Sequence, residues 1–188
     1  MTAIIDYKAG NLTSVKLAFA ALGVETVVTS DPKVIASADR VVFPGVGAAK
    51  SAMENLRSLG LVESVKEAAA TKPFLGICLG MQILFDYSEE DGGVDCLGII
   101  SGRVRRFPSV PGFKVPEIGW NGVEGLGGKE FYFVHSYYAE VVPETVGITE
   151  YAVKFTAMVK KGRLWACQFH PEKSGRIGLE LIKEWLSC

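Results

Sequence analysis

Cys78 stands between two glycines, in Gly76-Ile77-Cys78-Leu79-Gly80. The apolar run before it, Phe74 to Ile77, reads as a buried strand, and Leu79 to Phe85 reads as the start of a helix. A nucleophile held on a strand-to-helix turn needs small neighbours, because its backbone is strained and the two elements pass close together. At a helix N-terminus the free N–H groups and the dipole favour thiolate over thiol. Such a sulfur can attack an amide carbonyl and form a thioester. The competing reading is a buried structural cysteine, the commoner fate of a free thiol.

A cysteine nucleophile also needs a base and a group to orient it. The chain has two histidines, His135 and His170. His170 lies in Gln168-Phe169-His170-Pro171-Glu172, at the end of an apolar strand over Leu164–Phe169. In extended chain, residues two apart face the same way, and Pro171 holds its predecessor extended. Glu172 would then fix the imidazole of His170 in one tautomer, with the other nitrogen left for Cys78. Taken alone, His-Pro-Glu reads as a strand-ending turn with solvated charges; beside a nucleophile turn it reads as base and orienter. His135 is expected to lack a nearby carboxylate and so to be structural or to form a wall. The Leu79 N–H, just after the sulfur, is a candidate oxyanion donor, and Gly45-Val46-Gly47 is a second. That glycine loop reads otherwise as a plain tight turn. Neither G-x-x-x-x-G-K-[ST] nor a strand-following G-x-G-x-x-G is present, so nucleotide binding has little support.

The elements that must position these groups follow from hydrophobic spacing. Strands are expected at Ala3–Asp6, Glu25–Val28, Arg40–Phe43 and Phe74–Ile77. A helix capped by Asn11 should run through Leu22 with Leu12, Val15, Phe19 and Leu22 on its apolar face. Asp31-Pro32 opens a short helix, and two more follow Gly47, through Met53, Leu56 and Leu59 and then through Val65 and Ala69. Alternating strand and helix predicts a parallel sheet covered on both faces, with a ligand site at the carboxyl ends of the strands. From Gly93 onward, short β-like segments punctuated by Gly and Pro predict antiparallel strands over 98–107, 115–123, 131–134, 138–142, 152–160 and 164–169. A helix over Ile177–Leu186 closes the chain. The expected fold is one α/β domain over 1–188, with a mostly parallel central sheet, flanking helices and antiparallel strands in the second half.

Composition removes several classes of function. Of 188 residues, 48% are hydrophobic and 22% charged, a globular balance. The formal net charge of −1 offers no basic field for nucleic acid. No apolar run approaches the length of a membrane span and no export signal is apparent, so a soluble cytoplasmic protein with reduced thiols is expected. The four cysteines, Cys78, Cys96, Cys167 and Cys188, lack C-x-x-C spacing, so neither zinc nor a redox pair is suggested.

Pro44-Gly45-Val46-Gly47, Gly76-Ile77-Cys78-Leu79-Gly80-Met81-Gln82 and Phe169-His170-Pro171-Glu172, in that order, resemble the class I (triad) glutamine amidotransferases. Asp6-Tyr7, Gly10-Asn11-Leu12, Lys114-Val115-Pro116, Gly119-Trp120-Asn121, Tyr132-Phe133-Val134-His135-Ser136-Tyr137 and Gln168 to Ser174 narrow the resemblance to the glutaminase subunits of imidazole glycerol phosphate synthase. The resemblance implies that Cys78 is the nucleophile, His170 the base and Glu172 its orienter, with Gly47 and Leu79 at the oxyanion hole. It implies that Gly45, Gln82, Glu90, Ser136 and Tyr137 hold glutamine, and that Trp120, Tyr132 and Lys173 lie near a partner. That partner would be the cyclase subunit, a separate (β/α)8 barrel forming a heterodimer and receiving ammonia inside the complex, in histidine biosynthesis. No cofactor or metal is implied. Three positions depart from the family pattern: Lys8 where glycine is usual, Ala49 where an aromatic is common, and Glu117 where histidine is commoner. The alternatives are another class I amidotransferase, a stand-alone cysteine amidohydrolase, and a glutamine sensor without chemistry.

Overall fold

In a computed structural model that describes residues 1–188, the first half alternates strand and helix as its hydrophobic spacing predicts. β1 (Thr2–Ile5) leads to α1 (Leu12–Ala21), where the Asn11 side chain accepts the Ser14 N–H as N-cap and Val15 and Phe19 are buried. β2 (Thr26–Thr29) and α2 (Pro32–Ser37) follow, the latter capped by Asp31 with Pro32 in its first turn. Next come β3 (Arg40–Gly45), α3 (Ala49–Ser58), α4 (Val62–Thr71) and β4 (Phe74–Cys78). These strands pair in parallel in the order β2-β1-β3-β4. Register aligns Gly45 with Cys78, so the glycine loop and the cysteine turn leave the sheet side by side at one edge.

Both faces of that sheet are covered, because successive strand residues point to opposite sides. Ala3, Ile5, Val41 and Phe43 pack with Met53, Leu56, Val65 and Ala68 of α3 and α4. Ile4, Val42, Leu75 and Ile77 pack on the other side with Val15 and Phe19 of α1 and with Leu181, Ile182 and Trp185 of α6 (Gly175–Leu186). The continuous apolar runs of β3 and β4 are the sequence signature of strands buried on two faces.

The second half supplies β7 (Arg103–Arg106), β8 (Glu117–Gly122), β9 (Glu130–His135), β10 (Tyr137–Ala139), β12 (Val153–Lys161) and β13 (Leu164–Cys167). Three strands have no counterpart in the sequence reading: β5 (Tyr87–Ser88), β6 (Val94–Asp95) and β11 (Thr145–Tyr151). The first two are two residues long, too short for any alternation to show. β13 is antiparallel to β12 yet parallel to β4, with Cys167 in register with Ile77. The chain beyond Cys167 therefore emerges beside Cys78. β8 and β9 form a separate two-stranded ribbon in which Glu117 faces His135 and Trp120 faces Tyr132.

The helix after Cys78 is shorter than expected: α5 covers Leu79–Gln82 and not the stretch to Phe85. The carbonyls just beyond it are captured from outside. Leu97 N–H bonds the Ile83 carbonyl, Gly98 bonds Phe85, and Ile99 and Ile100 both bond Leu84. Segment 97–100 is used for this capture although a strand was expected from Gly98, and β7 starts only at Arg103.

Lys8 has φ +63°, so the turn after β1 does require the left-handed backbone that glycine adopts freely. Lys8→Gly is expected to stabilise the fold by about 1 kcal/mol, the left-handed penalty of about 1–2 kcal/mol being partly offset by glycine's chain entropy. Urea unfolding midpoints of the two chains check this; an unchanged or lower midpoint contradicts it.

Candidate active site

Cys78 has φ +55° and ψ −111°, a conformation most L-residues avoid and one that costs on the order of 1–3 kcal/mol. The packing around it holds it there. Gly80 lies so close to β3 that a Cβ would sit 1.9 Å from the Phe43 carbonyl oxygen, which a backbone atom cannot relieve by rotating away. Tyr7 is fully buried close beneath Gly45; burial first, then the nearby Cys78, pushes its hydroxyl far above the usual tyrosine range, so it stays neutral.

His170 reaches the same edge because β13 lies beside β4. Its backbone is extended, but Pro171–Lys173 form a 3-10 turn, so Glu172 meets it by curling back and not by strand alternation. Glu172 Oε1 lies 2.7 Å from His170 Nδ1, both side chains being 2% exposed. A carboxylate accepts only, so Nδ1 carries the proton. Nε2 is buried without a hydrogen-bond partner and shares a cavity wall with Cys78. Burial alone would lower the imidazole pKa, but the neighbouring Cys78 sulfur and the hydrogen-bonded Glu172 carboxylate together outweigh it and raise it. Sulfur, imidazole and carboxylate are thus arranged to attack a carbonyl and to hand a proton to its leaving group.

These groups open on a cavity of about 420 Å³ at the carboxyl edge of the parallel strands. Of the residues expected there, Gly47, Cys78, Leu79, Gln82, Glu90, Ser136, Tyr137 and His170 line it, together with Lys173, which was expected near a partner. Gly47 has φ +98°, so the loop relies on glycine to turn past the sulfur. Glu90 is tied to the loop's exit: its carboxylate accepts the N–H of Ala49 at 2.6 Å, capping α3, whose Ala48 N-cap offers no side-chain bond. Burial, and secondarily Asp91, push the Glu90 carboxyl up against that hydrogen bond. Ala49 itself is fully buried. Glu172 sits behind His170, away from the main cavity, and Gly45 is a buried strand residue that does not reach its wall. Trp120 and Tyr132 lie outside it, on the β8–β9 ribbon. No set of three His, Cys, Asp or Glu side chains is grouped to hold a metal ion, and no helix is long and apolar enough to cross a membrane.

The class-I glutamine amidotransferase family matches residues 3–186. The imidazole glycerol phosphate synthase subunit HisH of Dehalococcoides mccartyi strain CBDB1 is 48% identical, over 98% of this chain and 96% of the relative. The subunit of the same name from Methanothermobacter thermautotrophicus is 46% identical, over 99% and 98%. The chain belongs to the class-I glutamine amidotransferases, in the HisH family. Among solved structures, a glutamine amidotransferase superposes with TM-score 0.75 at 20% identity, covering 98% of this chain and 97% of the other. PurLQS from Thermotoga maritima superposes with TM-score 0.69 at 16% identity, over 99% and 97%. At those identities the likeness is one of fold.

One expectation about this amidotransferase's site needs correcting. His135 does have a carboxylate: Glu117, directly opposite it in the ribbon, places Oε2 2.9 Å from Nε2, with the side chains 3% and 4% exposed. Eighteen residues separate them, so only strand pairing brings them together. Val46, from the glycine loop expected at the oxyanion, lines the cavity too, and so do Pro116 and Val134, which were not anticipated. Neither was Gln168, whose amide nitrogen lies 3.6 Å from Cys78 Sγ. The signal for Gln168 was present, since the two-residue spacing that pointed from His170 forward to Glu172 also points back to Gln168.

Proposed function

We propose that this chain is the glutaminase subunit of an imidazole glycerol phosphate synthase, a single amidotransferase domain over 1–188. The observation that carries the reading is the buried row of Cys78, His170 and Glu172 at the cavity of a chain 48% identical to a HisH subunit. Cys78 passes its thiol proton to His170 Nε2 and its sulfur attacks the side-chain amide carbon of glutamine, with the oxyanion met by the backbone at Gly47 and Leu79. The carbon–nitrogen bond breaks, His170 gives its Nε2 proton to the departing nitrogen, and ammonia leaves a γ-glutamyl thioester. Water, deprotonated by His170, then releases glutamate and restores the sulfur. Glu172 holds the imidazole throughout. Gln82, Glu90, Ser136 and Tyr137 contact glutamine, and Gly45 shapes the loop behind them. Both hydrogens of Gln82 Nε2 are already engaged, by Tyr137 and Gln168, so Gln82 has only its oxygen to offer a ligand.

Ammonia passes to a separate cyclase, a (β/α)8 barrel, in a heterodimer. Its docking face would be the outer side of the β8–β9 ribbon. There Ile118 and Trp120 are 63% and 55% exposed, facing Val134 and Tyr132 across the strands. Exposed aromatics of this kind anchor interfaces. Lys173 lines the cavity, at the end of the turn that carries Glu172. The Tyr132 carbonyl accepts the His170 N–H at 2.9 Å, so a partner resting on Tyr132 bears on the base. Four free cysteines suit a reducing compartment, and the cytoplasm is the expected location.

A glutamine-mimicking alkylator is expected to label Cys78 and spare Cys96, Cys167 and Cys188. Glutamine hydrolysis should be weak in the isolated chain and rise with the cyclase, then again with the cyclase's nucleotide ligand. A Gly45–Gly47 peptide turned carbonyl-inward would forfeit about 2.7–4 kcal/mol of oxyanion stabilisation, which a partner restores by binding the N–H-inward state more tightly. Equal turnover in all three preparations would remove the regulated subunit from this reading, and labelling elsewhere would remove Cys78.

A further inference from the structure

We propose that Gln168 is a positioning residue that presents an N–H to the Cys78 sulfur; the proposal rests on Cys78 being the nucleophile. Gln168 is fully buried, with its amide nitrogen 3.6 Å from Sγ and its oxygen 2.8 Å from Gln82 Nε2. The direction of both amides follows from one backbone group. The Tyr137 carbonyl can only accept, so the Gln82 atom 2.8 Å from it must be the nitrogen. That same nitrogen faces Gln168, so the Gln168 atom it meets must be the oxygen. The atom left to face sulfur is NH2. A flipped Gln168 would oppose two donors at Gln82 and turn toward the sulfur a carbonyl that a thiolate repels.

The Tyr137 carbonyl is itself held from the other side. His135 Nδ1 lies 2.7 Å from it and must carry a proton for the same reason. His135 Nε2 ends on Glu117, and Asn121 Nδ2 donates to the other Glu117 oxygen at 3.0 Å. The series Glu117, His135, Tyr137 carbonyl, Gln82, Gln168, Cys78 is therefore continuous from the ribbon to the nucleophile, with donor and acceptor fixed at every link up to His135. A donor facing sulfur favours negative charge on it and is stronger for thiolate than for thiol. None of these contacts requires glutamine, so the effect acts on the free enzyme and on turnover more than on substrate affinity.

The test uses the full chain with its cyclase partner for turnover, and iodoacetamide as the probe of Cys78. Alkylation is followed by peptide mass, so the other cysteines are read separately. Gln168→Leu and Gln168→Met remove the donor while keeping an apolar side chain of similar size. Circular dichroism reports whether each folds. A hydrogen bond to a charged group corresponds to about 10–100-fold, so kcat should fall by that factor with KM changed less than about twofold. The pH profile of alkylation should move upward by about one unit or more. Gln82→Met, which releases the Gln168 amide to turn, should move the profile the same way and decides the matter if both Gln168 variants unfold. A folded Gln168 variant that melts earlier but keeps the wild-type alkylation profile makes Gln168 a packing residue and overturns the proposal. Wild-type alkylation at a cysteine other than Cys78 would instead overturn the nucleophile assignment.

Discussion

Glutamine hydrolysis by a His170→Ala variant is expected to fall about 10²–10⁴-fold, the range for loss of a positioned general acid–base. His170 is the histidine with a buried Nε2 open toward Cys78 and an Nδ1 fixed by Glu172. Glu172→Gln should be harmful but milder, because the amide can still accept the Nδ1 hydrogen while losing the charge that favours imidazolium. The same pair has a signature in stability. The folded His170 pKa lies above its unfolded value near 6.5, raised by Cys78 and Glu172 against burial. A raised pKa means that the stabilisation is complete below the unfolded value and is lost as pH rises through the folded one. His170→Ala should therefore cost more stability in mildly acidic buffer than in strongly alkaline buffer. Steady-state turnover and urea unfolding at the two pH values check both parts. A mild loss for His170→Ala beside a severe chemical loss for His135→Ala would transfer the role to the other histidine.

Replacing His135 by alanine is expected to destabilise the fold by about 3–5 kcal/mol, the usual cost of leaving one member of a buried charged or proton-sharing pair alone. Glu117 would retain only Asn121 as a side-chain partner, in a position 4% exposed. The loss should be read as a lower urea midpoint, since His135 is not placed to move the proton of the leaving group. Changing both residues together, Glu117→Leu with His135→Leu, should recover much of the stability, because an apolar pair of similar volume avoids the desolvation cost. A His135→Ala chain within about 1 kcal/mol of wild type would show that the pair contributes little.

Much of this protein was legible in the residues alone. Parallel strands buried on two faces must be apolar throughout, which marked Arg40–Phe43 and Phe74–Ile77 before any fold was known. A sharp turn at a nucleophile tolerates only small neighbours, which singled out Cys78. His170 and Glu172 were legible because two residues of chain bring them together. The tertiary structure decided what local spacing cannot encode. Beyond α5 the carbonyls of Ile83, Leu84 and Phe85 bond segment 97–100, which is distant in the chain, and not a continuing helix. Glu117 could not be seen as the partner of His135, because cross-strand register between residues eighteen apart is set by the packing of the whole ribbon. The contact of Gln168 with sulfur likewise required β13 to lie parallel to β4, although β13 follows β12 through a tight antiparallel turn. Sequence fixes a residue's type and its near neighbours, but a site's distances are created when strands far apart in the chain share hydrogen bonds.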